Sequence, residues 1–302
     1  MGAQRIPAQI ADDGSYRVVM DVDVSAVPFL KYPGGKRGLM WRIATILPRT
    51  MATYFEPMIG AGACFFQMAN EGRFKRAVLS DNNEELVRTW LAIKRNVVGV
   101  CRELDAHKHN RRHYEKVRAL DPAKMSDEKT AARMLFMNAA GFNGLVRYNR
   151  AGQFNTPWGR QAKMLQFKDP QRLRDCARVL NEHKVTIVAA DFADVTRKAR
   201  LGDVVFYDSP YVPISKTSSF VGYSRHGFGA DDHARLAVEF KRLDKAGIEV
   251  LLCNSNCDTV RRLYAGFRFE SIAAKRAINS DTTKRGEIKE LLISSRALDV
   301  GK

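Results

Sequence analysis

The chain lacks any pattern among its cysteines and histidines. Five cysteines, Cys64, Cys101, Cys176, Cys253 and Cys257, are odd in number and form no C-x-x-C pair. That excludes a disulfide framework and a tetrahedral zinc pattern, and it predicts a reducing cytosol and no metal. The six histidines are scattered and read as surface residues rather than ligands. No stretch approaches the roughly 18 consecutive apolar residues of a membrane span. Residues 1–28 hold no long apolar signal core, so a soluble cytoplasmic protein without a membrane partner is expected. Internal repeats and low-complexity tracts are missing, as are a full G-x-G-x-x-G and the Lys-Ser/Thr of a phosphate loop, which disfavours NTP binding. Acidic residues are also in short supply, 33 against 50 Lys and Arg, for a net charge of +17. An excess of that size points to a polyanionic partner, most economically nucleic acid.

What is present begins with 302 residues, 45% of them hydrophobic, enough for one large domain or a domain carrying an insertion. The most informative stretch is Val204-Val205-Phe206-Tyr207-Asp208-Ser209-Pro210-Tyr211. An apolar strand ends abruptly in Asp-Ser-Pro-Tyr and delivers a carboxylate, carbonyls and an aromatic ring to its C-terminal edge. Ligands bind at that edge in open α/β sheets. The groups suit a planar ring bearing an exocyclic amino group: Asp208 and a backbone carbonyl each accept one N–H, and Tyr211 stacks on the ring. Read blandly, the same residues end a strand in an ordinary turn.

Other stretches narrow the choice. Phe29-Leu30-Lys31-Tyr32-Pro33-Gly34-Gly35-Lys36 precedes an amphipathic run, Leu39 to Leu47, so that a Gly-Gly turn opens a helix whose N-terminus favours a carboxylate. Thr53-Tyr54-Phe55-Glu56-Pro57-Met58-Ile59-Gly60-Ala61-Gly62 reads as a strand entering a Gly-x-Gly turn, with a helix over Cys64–Ala69. Ala77–Asp81 is a second strand, and Asp81 at its end is placed to take two ribose hydroxyls. Val185–Phe192 reads as a strand ending in Asp191 and Phe192, a clamp for an adenine ring. A helix over Ala230–Lys245, a strand over Ile248–Cys253 and a closing hairpin of Phe267–Ala273 with Ile288–Ser294 complete an α/β rhythm.

That rhythm is interrupted by residues 95–177, which hold 17 Lys and Arg against 8 Asp and Glu. Helical patterns over Arg112–Leu120 and Asp127–Asn138 lead to a segment, 138–160, that reads as a hairpin around Arg150-Ala151-Gly152. Asn, Arg, Tyr and Trp interleave along it, as groove reading needs: Arg pairs bidentately with guanine and Asn with adenine. A basic, loop-rich surface binding only phosphates is the alternative.

In this order the pieces resemble a Dam-type DNA adenine-N6 methyltransferase. FLKYPGGK resembles the family's N-terminal cofactor motif, FEPMIGAGACFF its glycine loop, and LSDNNEEL its strand ending in the ribose-binding acid. GFNGLVRYNRAGQFNTPWGR is similar to its target-recognition segment, and DSPY stands where the family has DPPY. The likeness spans about residues 29–295. It implies a Rossmann-like seven-stranded methyltransferase sheet (29–94 and 178–302) carrying a helical and hairpin target-recognition insert (95–177) behind an N-terminal extension (1–28). It implies S-adenosylmethionine as cofactor, contacted by Tyr32, Lys36, Glu56, Pro57, Gly60, Gly62, Asp81, Asp191, Phe192 and Asp208. Catalysis falls to Asp208, Ser209, Pro210 and Tyr211, which hold a flipped adenine. Double-stranded DNA, read at GATC, would meet Lys31, Asn143, Leu145, Arg147, Asn149, Pro157 and Arg160.

One departure stands out: Ser209, where most relatives have Pro. The chemistry uses that residue's carbonyl, which Ser also has, and Pro210 still biases Ser209 toward extended backbone. A cytosine-N4 methyltransferase shares the amino-group chemistry. An RNA or protein-amide methyltransferase shares the acid-Pro-aromatic motif but has no need of a basic insert. A catalytically dead DNA-binding relative would retain the insert. A monomer is expected, since nothing demands symmetry.

Overall fold

The computed structural model describes residues 9–10, 16–17, 25–31, 39–149, 151–159, 168–213, 227–275 and 287–298. Seven strands form one sheet: β1 (Tyr54–Pro57), β2 (Arg76–Asp81), β3 (Lys184–Ala189), β4 (Val204–Asp208), β5 (Glu249–Ser255), β6 (Arg268–Lys275) and β7 (Glu287–Ser294). Their order is β3-β2-β1-β4-β5-β7-β6. The first five run parallel, and β7 enters antiparallel between β5 and β6. This is a seven-stranded sheet of the kind the resemblance implies, and the expected closing hairpin is its β6–β7 edge. A separate two-residue pairing joins Gln9–Ile10 to Tyr16–Arg17.

Alternation along the central strands explains why both faces of the sheet are covered. Val204 and Phe206 of β4 face one apolar core, together with Leu251 and Cys253 of β5. Val205 and Tyr207 face the other, with Val250 and Leu252. Strands buried on both faces read as continuous apolar runs, which is how β4 and β5 appear in the sequence. The helices are α1 (Met40–Ile46), α2 (Ala63–Asn70), α3 (Glu84–Asp105), α4 (Arg111–Arg118), α5 (Asp127–Ala140), α6 (Pro170–Glu182), α7 (Phe192–Thr196), α8 (Ala230–Lys245) and α9 (Asp258–Leu263). Helices α1 to α6 contribute to the first core, and α7 to α9 to the second.

One sequence expectation shifts, and one expected boundary falls within a helix. The strand expected over Val185–Phe192 stops at Ala189. Asp191 then caps α7, its carboxylate accepting from the Ala193 amide at 3.0 Å, and Phe192 is the first helical residue. A short polar side chain before a helix competes better as a cap than as strand. The boundary expected at residue 95 falls inside α3, which runs on to Asp105. Helical geometry breaks there at Asn96 (φ −149°, ψ 63°), whose side chain caps the amide of Gly99 at 3.0 Å. Helix α5 packs along α3, and one apolar core passes from the sheet face through Trp90, Ile93 and Val100 into Leu135 and Phe136.

Candidate active site

The chain turns back at β1, runs outward to β3 and returns to β4, so the order reverses between β1 and β4. A crevice forms outside the strand ends at such a switch point. Every turn that leaves β1, β2, β3 and β4 at this edge carries one of the residues singled out from the sequence.

After β1 the backbone adopts a left-handed sequence of conformations, with Met58 at φ 62°, Gly60 at 49° and Gly62 at 67°. Met58 holds a conformation that a bulky residue rarely adopts, a form of strain that persists where the surroundings over-determine it. Those surroundings are visible: the Ile59 amide donates to the Ser80 carbonyl at 2.9 Å, and the Trp90 indole donates to the Gly60 carbonyl at 3.1 Å. A Cβ on Gly62 would lie 2.5 Å from the Trp90 ring, so only glycine fits. Pro57 is buried at the end of β1. Glu56, 2% exposed, points into the interior, where the Tyr54 hydroxyl donates to it at 2.7 Å. Burial raises its carboxyl to about 8, and the nearby Asp208 charge adds to the rise.

Asp81 ends β2 facing the glycine turn. Its carboxylate accepts from the Gly60 amide at 3.3 Å and from the Asn83 amide at 2.9 Å. Burial lifts its pKa while these backbone donors oppose the lift. A carboxylate has about four acceptor positions, so this one has capacity for a ligand hydroxyl beyond its backbone donors. Across the site, the Asp191 carboxylate takes Arg235 at 2.8 Å besides its helix-capping bond. The Phe192 ring is 3% exposed and lies among Tyr207, Phe228 and the Arg235 guanidinium, which sits 5.0 Å from its centroid.

Asp208 closes β4, half-buried, and Ser209 follows it, 2% exposed. Pro210 and Tyr211 are half-buried. The Tyr211 hydroxyl donates to Glu290 of β7 at 2.5 Å. Burial, with Cys253, Asp208 and Glu290 nearby, holds that phenol well above its ordinary pKa, so it stays a neutral donor.

The segment expected to recognise DNA meets this edge through two ties. Asn138 at the end of α5 is 3% exposed. Its amide oxygen accepts from the Lys31 amide at 2.8 Å, and its nitrogen donates to the carbonyls of Lys31 and Gly144, each at 2.7 Å. In the second tie the Asn83 side-chain carboxamide nitrogen donates to the Tyr148 hydroxyl at 3.0 Å. That hydroxyl donates to Glu85 at 3.1 Å, and Glu85 is ion-paired with the buried Arg133. The hairpin is present, with Tyr148 opposite Phe154 and the Asn149 carboxamide accepting from the amides of Ala151 and Gln153. Arg147 is half-buried, and its guanidinium donates to the Asn155 side chain at 2.8 Å. Asn143 (φ 55°), Pro157 and Lys31 are exposed and Leu145 is half-buried. Phe142 joins them, 48% exposed, its amide bonded to the Pro157 carbonyl at 2.9 Å. Tyr32, Lys36 and Arg160 lie outside the described residues.

Sequence reasoning missed Glu290, Asn138, Trp90 and Phe142. Only an Asn at the end of an apolar helix carried a readable signal, that of a buried polar group that must find partners.

Comparison with known proteins accords with this edge. A D12 class N6 adenine-specific DNA methyltransferase family profile matches residues 32–278. The chain is 35% identical over 274 residues to the type II methyltransferase M1.LlaDCHI of Lactococcus lactis subsp. cremoris, covering 89% of this chain and 95% of that one. It is 35% identical to the type II methyltransferase M.MjaIII of Methanocaldococcus jannaschii, over 88% of this chain and 98% of that one. To a DNA adenine methylase of Vibrio cholerae it is 32% identical, over 87% and 94%. Likeness that runs through nearly the whole length of both partners, on a sheet whose switch point gathers the acids and glycines described above, makes the chain a member of the D12 class of N6 adenine-specific DNA methyltransferases, which act on DNA with S-adenosylmethionine as methyl donor.

Proposed function

We propose that the chain methylates N6 of an adenine turned out of double-stranded DNA, within GATC, and that Asp208 to Tyr211 hold that base. The observation that carries this reading is the delivery of Asp208 and Tyr211 to the switch-point crevice beside the Gly60–Gly62 turn. The Asp208 carboxylate accepts one N6–H and the Ser209 backbone carbonyl the other, while Tyr211 stacks on the ring and Pro210 stiffens the turn. Held by both hydrogens, the nitrogen turns its lone pair away from conjugation and becomes nucleophilic. When bound, S-adenosylmethionine supplies a methyl group on a cationic sulfur. Positioning accounts for most of the acceleration.

Asp81 takes the cofactor's ribose hydroxyls, and Asp191 with Phe192 flanks its adenine. Glu56, Pro57, Gly60 and Gly62 shape the turn that lets backbone approach it, and Tyr32 and Lys36 complete the contact. Residues 95–177 act as the recognition insert on the two-part sheet domain 29–94 and 178–302. Asn143, Leu145, Arg147 and Pro157 read bases, with Lys31, Asn149 and Arg160 beside them. Support comes from the exposed group formed by Lys31, Phe142, Asn143 and Pro157. An apolar ring such as Phe142 suits the gap that an extruded base leaves. The extrusion costs a few kcal/mol, on the order usual for such enzymes. The enzyme acts as a monomer, since nothing in the sequence demands symmetry, and in the cytoplasm, where DNA is exposed to it.

The test is methyl transfer to duplexes containing or lacking GATC, followed by digestion to nucleosides. N6-methyladenine from the GATC duplex is expected, and Asp208→Ala should lower the rate at least about 1,000-fold, or roughly 4 kcal/mol. N4-methylcytosine as product, or a rate unchanged in Asp208→Ala, would overturn the reading.

A further inference from the structure

A buried Asn in the central strand beside the candidate site needs an explanation. Asn254 is 1% exposed, on a strand whose other central residues are Val250, Leu251, Leu252 and Cys253. Asn is a poor strand former, and a carboxamide without partners is costly to bury. Its partners are the residues that follow Asp208. The Asn254 oxygen accepts from the Val212 amide at 3.0 Å and from the Ser255 amide at 2.8 Å. The Asn254 nitrogen donates to the Ser209 hydroxyl at 3.2 Å, and that hydroxyl donates weakly to the Cys253 carbonyl at 3.4 Å. Ser255 adds a bond from its hydroxyl to the Val212 carbonyl at 2.7 Å. The segment carrying Pro210 and Tyr211 is therefore fastened on both sides, at 209 and at 212, to two consecutive residues of β5.

A ring at position 209 would fix φ covalently. Ser209 leaves that angle to be set by contacts, and Asn254 supplies them. We infer that Asn254 is a positioning residue for methyl transfer: paired with the Ser209 hydroxyl, it sets the backbone from Ser209 to Val212 and so aims the Asp208 carboxylate, the Ser209 carbonyl and the Tyr211 ring. It touches no substrate itself. The inference rests on the reading that Asp208 to Tyr211 hold the target base.

The experiment compares full-length Asn254→Ala, Ser209→Ala and the double variant, with Asp208→Ala alongside. It measures kcat and KM on the DNA duplex, S-adenosylmethionine affinity by calorimetry, and thermal melting. With Asn254→Ala, kcat should fall about 10- to 100-fold, the cost of misplacing reacting groups, while cofactor affinity stays within about threefold. Ser209→Ala should fall less, and the double variant no further than Asn254→Ala, since both act through one contact. Any of three results overturns the inference: kcat within about twofold of the parent in Asn254→Ala, a loss confined to KM, or losses that add in full in the double variant. If Asn254→Ala does not melt cooperatively, Ser209→Ala decides alone, where kcat lowered by about threefold or more supports the inference and a smaller change overturns it. Asp208→Ala keeps the two claims apart. Its inactivity beside an unaffected Asn254→Ala removes only the role of Asn254, whereas an active Asp208→Ala removes the reading of the site itself.

Discussion

At the scale of single residues, Glu56 and Asp208 show how two acids on adjacent strands divide their chemistry. Glu56 is sealed inside and hydrogen-bonded by Tyr54, and its carboxyl is raised from 4.5 to about 8. Asp208 stands half-buried at the end of β4. A carboxyl whose folded pKa lies above its unfolded value contributes its stability below the unfolded value and loses it as pH rises through the folded one. Glu56→Gln, which cannot ionise, should therefore gain on the parent as pH rises from about 5 to about 8 and hold a constant advantage above that, on the order of a few kcal/mol. Urea denaturation across that range measures the difference, and an advantage that does not grow with pH would refute the assignment. The burial that raises the Glu56 carboxyl was not legible in the sequence. The resemblance names Glu56 as a cofactor contact, and only the tertiary structure shows its side chain buried against Tyr54.

At the scale of elements, the decisive joint is between α5, the segment before Tyr32 and the recognition turn. Asn138 satisfies three backbone groups from two of these segments at once. Asn138→Ala removes these three hydrogen bonds inside a close-packed interface, where a Cβ added to Gly144 would lie only 3.0 Å from that of Lys31. The variant should lose about 2–4 kcal/mol of stability and bind cognate DNA more weakly relative to unrelated DNA. Equilibrium unfolding and competition binding check the two effects, and a preserved preference would show that the joint does not order the turn. Most elements were legible beforehand, because periodicity marks them: α8 and the helix of Asp127 onward begin where the apolar pattern predicts. Asp191 and Phe192 were misassigned to a strand, because a short polar residue after an apolar run can end one element or start the next. Only the capping bond distinguishes the two.

At the scale of the whole molecule, the charge of +17 dominates. Residues 95–177 hold more than half of that excess, next to the exposed group around Phe142 and Asn143. Neutralising phosphates releases counterions, so DNA affinity should fall linearly on logarithmic axes with salt. A loss of roughly 100-fold or more is expected between about 50 and 200 mM. Titration of a labelled duplex at several salt concentrations measures the slope, and a flat response would exclude phosphate contacts as the main source of affinity. The charge was legible from composition, but where its densest stretch sits relative to the sheet depends on α3 carrying the chain out and α6 returning it.

The sequence by itself determined the alternation of strands and helices, the basic interruption and the order of the motifs, because these follow from local periodicity, from charge and from which residues tolerate a turn. The tertiary structure alone decided that four strand ends, drawn from 54 to 208, share one edge, that Trp90 forbids a side chain at Gly62, and that Asn254 and Glu290 hold the segment after Asp208. Those are pairings between distant positions. No short stretch of chain carries them, because they come into being only when burial forces each polar group to find its partner.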